Sequence, residues 1–313
     1  MASGSTLSNR TITPGISPFA WRIFTGIYFL ATSFGHLEFS LWLVRNREYG
    51  TLSFAISEFV PYIATAAAIT LLAWILRDVR HHPKRLVLIL CWCLWAIGVG
   101  LIDRFLTFSI NETAHYPQYA LLAWLISKCM DPQRVYWPVG RIMFWTTLLG
   151  MADETMQYLW ITRSYSDYLD FNDFLVNLVA GVAGVLVYFG NIHTLTPPRF
   201  VSKVPGTELV TISVLVFSLG FGVLSDRLQM TPVREVPPGG IAHATDGRLQ
   251  VYLQRKAGFY GAYHQGVRRD QYWVLDPTSG LILLVIVGGV FTGTISRLQY
   301  LSGASERRPF HAR

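Results

Sequence analysis

Glu154 and Gln157 stand three residues apart inside an apolar run, FWTTLLGMADETMQYLW, where a carboxyl group needs a partner or its own proton. On a helix that spacing places both on one face, whereas Asp153 points about 100° away and does not easily join them. The next apolar run opens on Asn172-Asp173 and continues through Asn177 and Gly181, a spacing of four that makes one stripe, with Gly184 on a neighbouring face. Upstream, His115 and Tyr119, also four apart, open another run. Carboxylate, imidazole and amide together are the groups of general acid–base chemistry. Burial raises a carboxyl pKa and a neighbouring arginine lowers it, and the balance brings such a group into the range of proton transfer. Blander roles stand beside these. Asp173 follows Asn172 at a helix start, where a carboxylate caps backbone amides; Tyr119 fits an aromatic belt; Asp103 and Arg104 fit interfacial anchoring.

The elements that must position these groups are membrane spans. A span needs about 20 mostly apolar residues, and eight runs approach or exceed that: 19–43, 55–76, 86–109, 116–130, 141–161, 172–191, 208–226 and 279–298. The fourth is short and interrupted by Lys128. With 51% hydrophobic and only 14% charged residues, the chain reads as an all-α integral membrane protein, a polytopic helical bundle of about eight transmembrane helices. The net charge of +7 belongs to loops. Arg77, Arg80, Lys84 and Arg85 follow the second run; Lys128, Arg134 and Arg141 surround the fourth connection; Arg199, Lys203, Arg297, Arg307, Arg308 and Arg313 fall on the same side. The positive-inside tendency therefore predicts a multi-pass protein of the cell inner (cytoplasmic) membrane with both termini cytoplasmic. His36, Glu38, Glu58 and the polar groups above then all lie towards the outer face, as a pocket opening outward would place them.

The chain divides into a cytoplasmic amino-terminal segment (1–18), a first helical hairpin (19–85), a core (86–191), a cytoplasmic linker (192–207), a carboxy-terminal helix pair (208–300) enclosing an external loop (227–278), and a tail (301–313). In that loop RLQVYLQ (248–254) alternates as a half-exposed strand does, so a small external domain containing β-structure is expected there. Its aromatic residues and cations suit membrane lipids or a partner membrane protein. No cleavable signal is expected, because the first run is too long for one. The three cysteines make no disulfide framework. No nucleic-acid-binding module is present and no nucleic-acid partner is expected. There is no HExxH, no acidic metal repeat, no Ser-His-Asp order and no cysteine nucleophile, so neither a metal nor another cofactor is named.

Glu154-x-x-Gln157, then Arg163, then Asp173-x-x-x-Asn177-x-x-x-Gly181, preceded by His115-x-x-x-Tyr119, resembles the core of VanZ-like membrane proteins over about residues 86–191. The resemblance implies a bacterial cell-envelope protein with a polar cluster facing out. That family takes its name from a glycopeptide-resistance protein. Where the family often carries a basic residue, three positions before the histidine, this chain has Glu112, which moves recognition of an anionic group to Arg104 or Arg163. Two functions follow. In the first, the pocket binds or processes an envelope lipid or lipid-linked precursor. Glu154 and His115 are its candidate catalytic acid and base; Arg163, Asp173, Gln157, Asn177 and Tyr119 hold the substrate; Gly181 and Gly184 are structural. In the second, the protein is a structural or accessory subunit of a larger membrane complex, and the same groups are interhelical hydrogen bonds.

Overall fold

The computed structural model describes residues 17–49, 52–82, 85–134, 136–190, 206–267 and 270–304. Most of the amino-terminal segment, nearly all of the linker and the end of the tail lie outside them, as do Lys84, Arg199, Lys203, Arg268, Arg269, Arg307, Arg308 and Arg313 and the side chain of His36.

Eight α-helices follow the eight apolar runs: α1 (Pro18–Val44), α2 (Val60–His81), α3 (Arg85–Phe105), α4 (His115–Met130), α5 (Val139–Met156), α6 (Phe171–Gly190), α7 (Gly206–Leu224) and α8 (Pro277–Ala304). Their starts carry local signals. Ser17 caps α1 by accepting from Ala20 N at 3.2 Å, ahead of Pro18. Asp276 caps α8 by accepting from Thr278 N and Ser279 N at 3.0 Å, ahead of Pro277. A cap at this position satisfies amides that have no partner within the helix.

Among the described residues, five helical stretches are long and apolar enough to cross a membrane: Ile56–Arg80, Arg85–Phe105, Phe171–Gly190, Gly206–Leu224 and Pro277–Arg297. Two of the others fall short for visible reasons. The 16 residues of α4 rise about 24 Å, against about 30 Å of hydrocarbon. The 18 residues of α5 include Arg141, Asp153 and Glu154.

The axis of the bundle is α6. Nearly all of it is buried, and it packs against α3, α4, α5 and α8. Around it the core closes with Leu88, Tyr119, Leu122, Ile142, Leu178, Leu186 and Ile295. By contrast α2 and α7 present most of their apolar side chains outward, from Tyr62 to Leu76 and from Leu209 to Leu224. Such surfaces suit a hydrocarbon solvent and would be costly in water.

Lys128, the interruption in the fourth run, points its ammonium at three rings, 5.8 Å from Trp21, 5.2 Å from Trp124 and 5.3 Å from Tyr188. Those faces attract a cation. Of the cysteines, Cys91 is buried, and Cys129 Sγ lies 3.2 Å from Thr25 Oγ1, joining α4 to α1.

The β-structure is small. In the loop between α7 and α8, β3 (Leu228–Gln229) pairs in parallel with β5 (Leu249–Tyr252), and β4 (Ile241–His243) pairs antiparallel with β5. Strands β6 (Ala262–Gln265) and β7 (Gln271–Val274) form an antiparallel hairpin. The strand expected within 248–254 is thus β5. A further hairpin, β1 (Arg47–Tyr49) with β2 (Leu52–Phe54), joins α1 to α2 and is too short to show as alternation in the sequence.

This loop is a cap. It lies over the connection 162–170 between α5 and α6. Leu169 N donates to Leu253 O at 2.8 Å and Arg255 N to Asp167 O at 2.7 Å. Arg255 also pairs with Asp167 at 3.4 Å and with Glu235 at 3.7 Å. Tyr260 donates to Leu169 O at 2.9 Å, and Val267 N reaches Phe108 O, beyond α3, at 3.1 Å.

Candidate functional site

The site gathers where α4 begins, α5 ends and α6 begins, at the capped end of the bundle. A 3-10 turn, Ile110–Ala114, leads into α4. Glu112 caps that turn, accepting from Phe108 N and Ser109 N at 3.0 Å. His115 and Tyr119 follow one turn apart, with rings stacked at a centroid distance of 5.9 Å. From α5 come Asp153 and Glu154. Beyond Met156 the helix widens into a single π turn, Gln157–Ile161, closed by Thr162 N and Thr162 Oγ1 on Gln157 O at 2.8 and 3.0 Å. Such turns recur at functional sites. From α6 come Asp173 and Asn177.

Asn177 is the hub. Its amide oxygen lies 2.7 Å from His115 Nδ1, and its Nδ2 donates to Glu154 Oε1 at 3.1 Å. A carboxylate only accepts, so the amide turns its nitrogen to Glu154 and its oxygen to His115, and Nδ1 is then the protonated ring nitrogen. His115 Nδ1 stands 3.6 Å from Glu154 Oε1. These groups are deeply placed: His115 is 4%, Glu154 6% and Asn177 0% exposed. Gln157 is buried as well, and its Nε2 has no hydrogen-bond partner among the described residues.

Asp153, expected to point away, is part of the site. Tyr119 donates to its Oδ2 at 2.5 Å, while its Oδ1 is buried with no hydrogen-bond partner among the described residues. The reason is that α5 is contacted by α4 and α6 on different faces, so positions 100° apart both meet polar neighbours.

The capping role open to Asp173 belongs instead to Asp170, whose Oδ1 accepts from Asn172 N at 2.8 Å. Asp173 Oδ1 is sheltered from solvent with no hydrogen-bond partner among the described residues. One ligand-type atom each from His115, Glu154 and Asp173 lies within 4.8 Å of the other two.

Arg163 is not drawn into this group. Its side chain is exposed, it makes no hydrogen bond or ion pair among the described residues, and its Cβ lies near Gly239 of the cap. The glycines of the α6 stripe act as expected of small residues, with different partners: Gly181 faces Thr146 of α5, and Gly184 faces the Ala120 carbonyl and Ala123 of α4.

Electrostatically the site is crowded with acid. Burial, then the charge of Asp173, pushes the Asp170 carboxyl up to about 8. Burial, then Asp173 and Asp170, pushes Glu112 up to about 10, against the opposing pull of its bonds from Ser109 and Phe108. Around Glu154 act the charges of Asp173, Asp153 and Asp170. Around Asp173 act His115 and Asp153.

Three residues that matter here are invisible to spacing arguments. Asn172 donates through Nδ2 to Leu106 O at 2.9 Å and Trp273 O at 2.7 Å, and accepts from Leu275 N at 3.0 Å, clamping α3, α6 and the cap together. Tyr158 donates to Tyr252 O at 2.7 Å. Gly240, at φ +64, sits so close to the Tyr158 hydroxyl and Tyr252 O that any Cβ would overlap them. A cavity of about 670 Å³ opens beside the cap, lined by Arg104, Phe105, Tyr263, Asp270 and Gln271.

Comparison with protein-family models finds no match, and neither the curated proteins nor the solved structures yield one.

Proposed function

We propose that this chain is an eight-span, VanZ-like protein of a bacterial cytoplasmic membrane, whose capped end faces outward and binds or processes the headgroup of an envelope lipid or lipid-linked precursor. The observation that carries the reading is the convergence of His115, Glu154, Asp173 and Asn177 from three helices at one end of the bundle. Polar and ionisable groups inside a membrane bundle are costly and are kept where they serve a site. Glu154 and His115 exchange a proton with the bound headgroup. Asp173, Gln157 and Tyr119 orient it, and Asn177 holds acid and base in register. Arg163 and Arg104 stand outside this cluster, exposed at the capped end, and receive an anionic group there.

Replacing Glu154 by glutamine keeps the shape and the bond from Asn177. The expected result is near-normal abundance of a protein that no longer complements a deletion strain exposed to glycopeptides, and that no longer carries lipid in native mass spectrometry. Loss of abundance in step with loss of complementation counts for the second reading, an accessory subunit in a membrane complex. That reading has its own support: the cluster is buried and roofed, and the neighbouring cavity is lined by none of its residues.

Orientation follows from Arg77, Arg80 and Arg85, which lie at the end of the bundle opposite the cap, since cations collect on the cytoplasmic side. With the native cysteines replaced, a cysteine at Lys256 in the cap should react with a membrane-impermeant maleimide in intact cells, and one at Arg80 should not. The reverse pattern inverts the topology.

A further inference from the structure

We infer that His115, Glu154 and Asp173 form a binding site for a divalent transition-metal cation of the zinc or manganese class. This deepens the proposed function and rests on it for the site's purpose, not for the site's existence.

The three side chains come from α4, α5 and α6, and one nitrogen or oxygen of each lies within 4.8 Å of the other two. Ligands bonded at about 2.0–2.2 Å sit at most about 4.4 Å apart, so small side-chain movements close the set. One imidazole with two carboxylates excludes a purely hard, all-oxygen site and fits zinc or manganese better than magnesium or calcium. Three protein ligands leave a coordination position for water or substrate, the arrangement of a reactive rather than a structural metal.

Four further observations point the same way. First, Asp170 caps α6, so the helix start does not require Asp173, whose Oδ1 is sheltered and has no hydrogen-bond partner among the described residues. Second, among the described residues neither the Nε2 of Gln157, one turn from Glu154 on the same face and 8% exposed, nor the Oδ1 of fully buried Asp153 has a hydrogen-bond partner. Buried polar atoms are rarely left so, and water on a metal would supply the missing partners. Third, Asn177 orients two of the ligands. Its oxygen pairs with His115 Nδ1, and its Nδ2 holds Glu154 Oε1. Outer partners of this kind fix tautomer and direction around metals. Fourth, the charges acting on Glu154 are the carboxylates of Asp173, Asp153 and Asp170, and those on Asp173 are His115 and then Asp153, so one imidazole faces several acids. A cation offsets that excess directly.

The test uses the full chain, purified in lipid nanodiscs, stripped with chelator and dialysed against Zn²⁺ or Mn²⁺, with Mg²⁺ and Ca²⁺ as comparisons. Metal content by elemental analysis should come to about one equivalent of Zn²⁺ or Mn²⁺, with affinity at least ~10-fold weaker in Glu154→Gln, in Asp173→Asn and in the outer-partner variant Asn177→Ala. Glu235→Gln, in the exposed cap, should bind as the parent does. X-ray absorption on the unmodified protein carries the test if the variants fail to fold: a first shell of nitrogen and oxygen with an imidazole signature is the expected result. No bound equivalent, a first shell of oxygen alone, or undiminished binding in both carboxylate variants overturns the proposal. Metal binding with full complementation by Glu154→Gln would instead sink the headgroup function and leave the metal site standing. Lost complementation without any metal binding would do the opposite.

Discussion

Gly184→Val should leave almost no folded protein. A Cβ at that position would overlap the carbonyl oxygen of Ala120, lie 2.8 Å from its carbon and 3.0 Å from Ala123 Cβ. The obstacle is backbone on a facing helix, not the end of a movable side chain, so relief requires α4 and α6 to part. Overpacking a core usually costs about 1–3 kcal/mol where side chains can yield. Here the upper end and beyond is expected, because α4 and α6 form the most extensive helix contact in the bundle. Even alanine at Gly184 should lower the unfolding temperature in detergent. Gly289, which has nothing within 4 Å of an added Cβ, is the matched control, and valine there should be tolerated. Equal yields and unfolding temperatures for the two valine variants would show that the close approach of α4 and α6 is not needed.

Asn172→Ala should free the cap while the helices stay assembled. One side chain satisfies Leu106 O, Trp273 O and Leu275 N, three backbone groups in or near the interior. Each buried group left without a partner costs about 1–3 kcal/mol. Discounting heavily for water entering the gap leaves about 3 kcal/mol, which raises the open fraction of the cap roughly 100-fold. Limited proteolysis reads this directly: cleavage within 240–267 should accelerate by about that factor, while the helical circular dichroism of the bundle is retained. Unchanged cleavage would assign the docking to Tyr260 and Arg255 instead, which bond to Leu169 and Asp167 independently of Asn172.

What could be read from residue order was set by periodicity and composition; what could not was set by partners distant in the chain. The run 116–130 and helix His115–Met130 agree closely, because an apolar stretch packed among apolar helices satisfies its backbone groups internally as a helix, even where it is too short to span. The run 86–109 outlasts its helix, which ends at Phe105. Leu106 and Phe108 turn their carbonyls to Asn172 and Val267, and neither partner is visible from the run itself. In the site, Glu154, Gln157, Asp173 and Asn177 announced themselves as polar groups at helical spacing in apolar surroundings. Asp153 did not, since helical spacing describes one face and α5 has two contacted faces. Asn172 reads as an ordinary polar residue near a helix start, and its task depends on β7 and the end of α3. Arg163 has the right charge and the right place in the order of residues, yet stands exposed on a short connection after the π turn, a direction that spacing along the chain does not encode.

The clamp at Asn172 also imposes a timetable. Its partner Leu275 lies 103 residues further along the chain. At about 5–20 residues per second, roughly 5–20 s pass between synthesis of the two. During that interval every residue of the acidic cluster has been made and its roof has not. The nascent α4, α5 and α6 must therefore hold Asp153 and Glu154 by bonds from within the bundle, those of Tyr119 and Asn177 foremost. Those two side chains serve the growing protein before they serve the finished one.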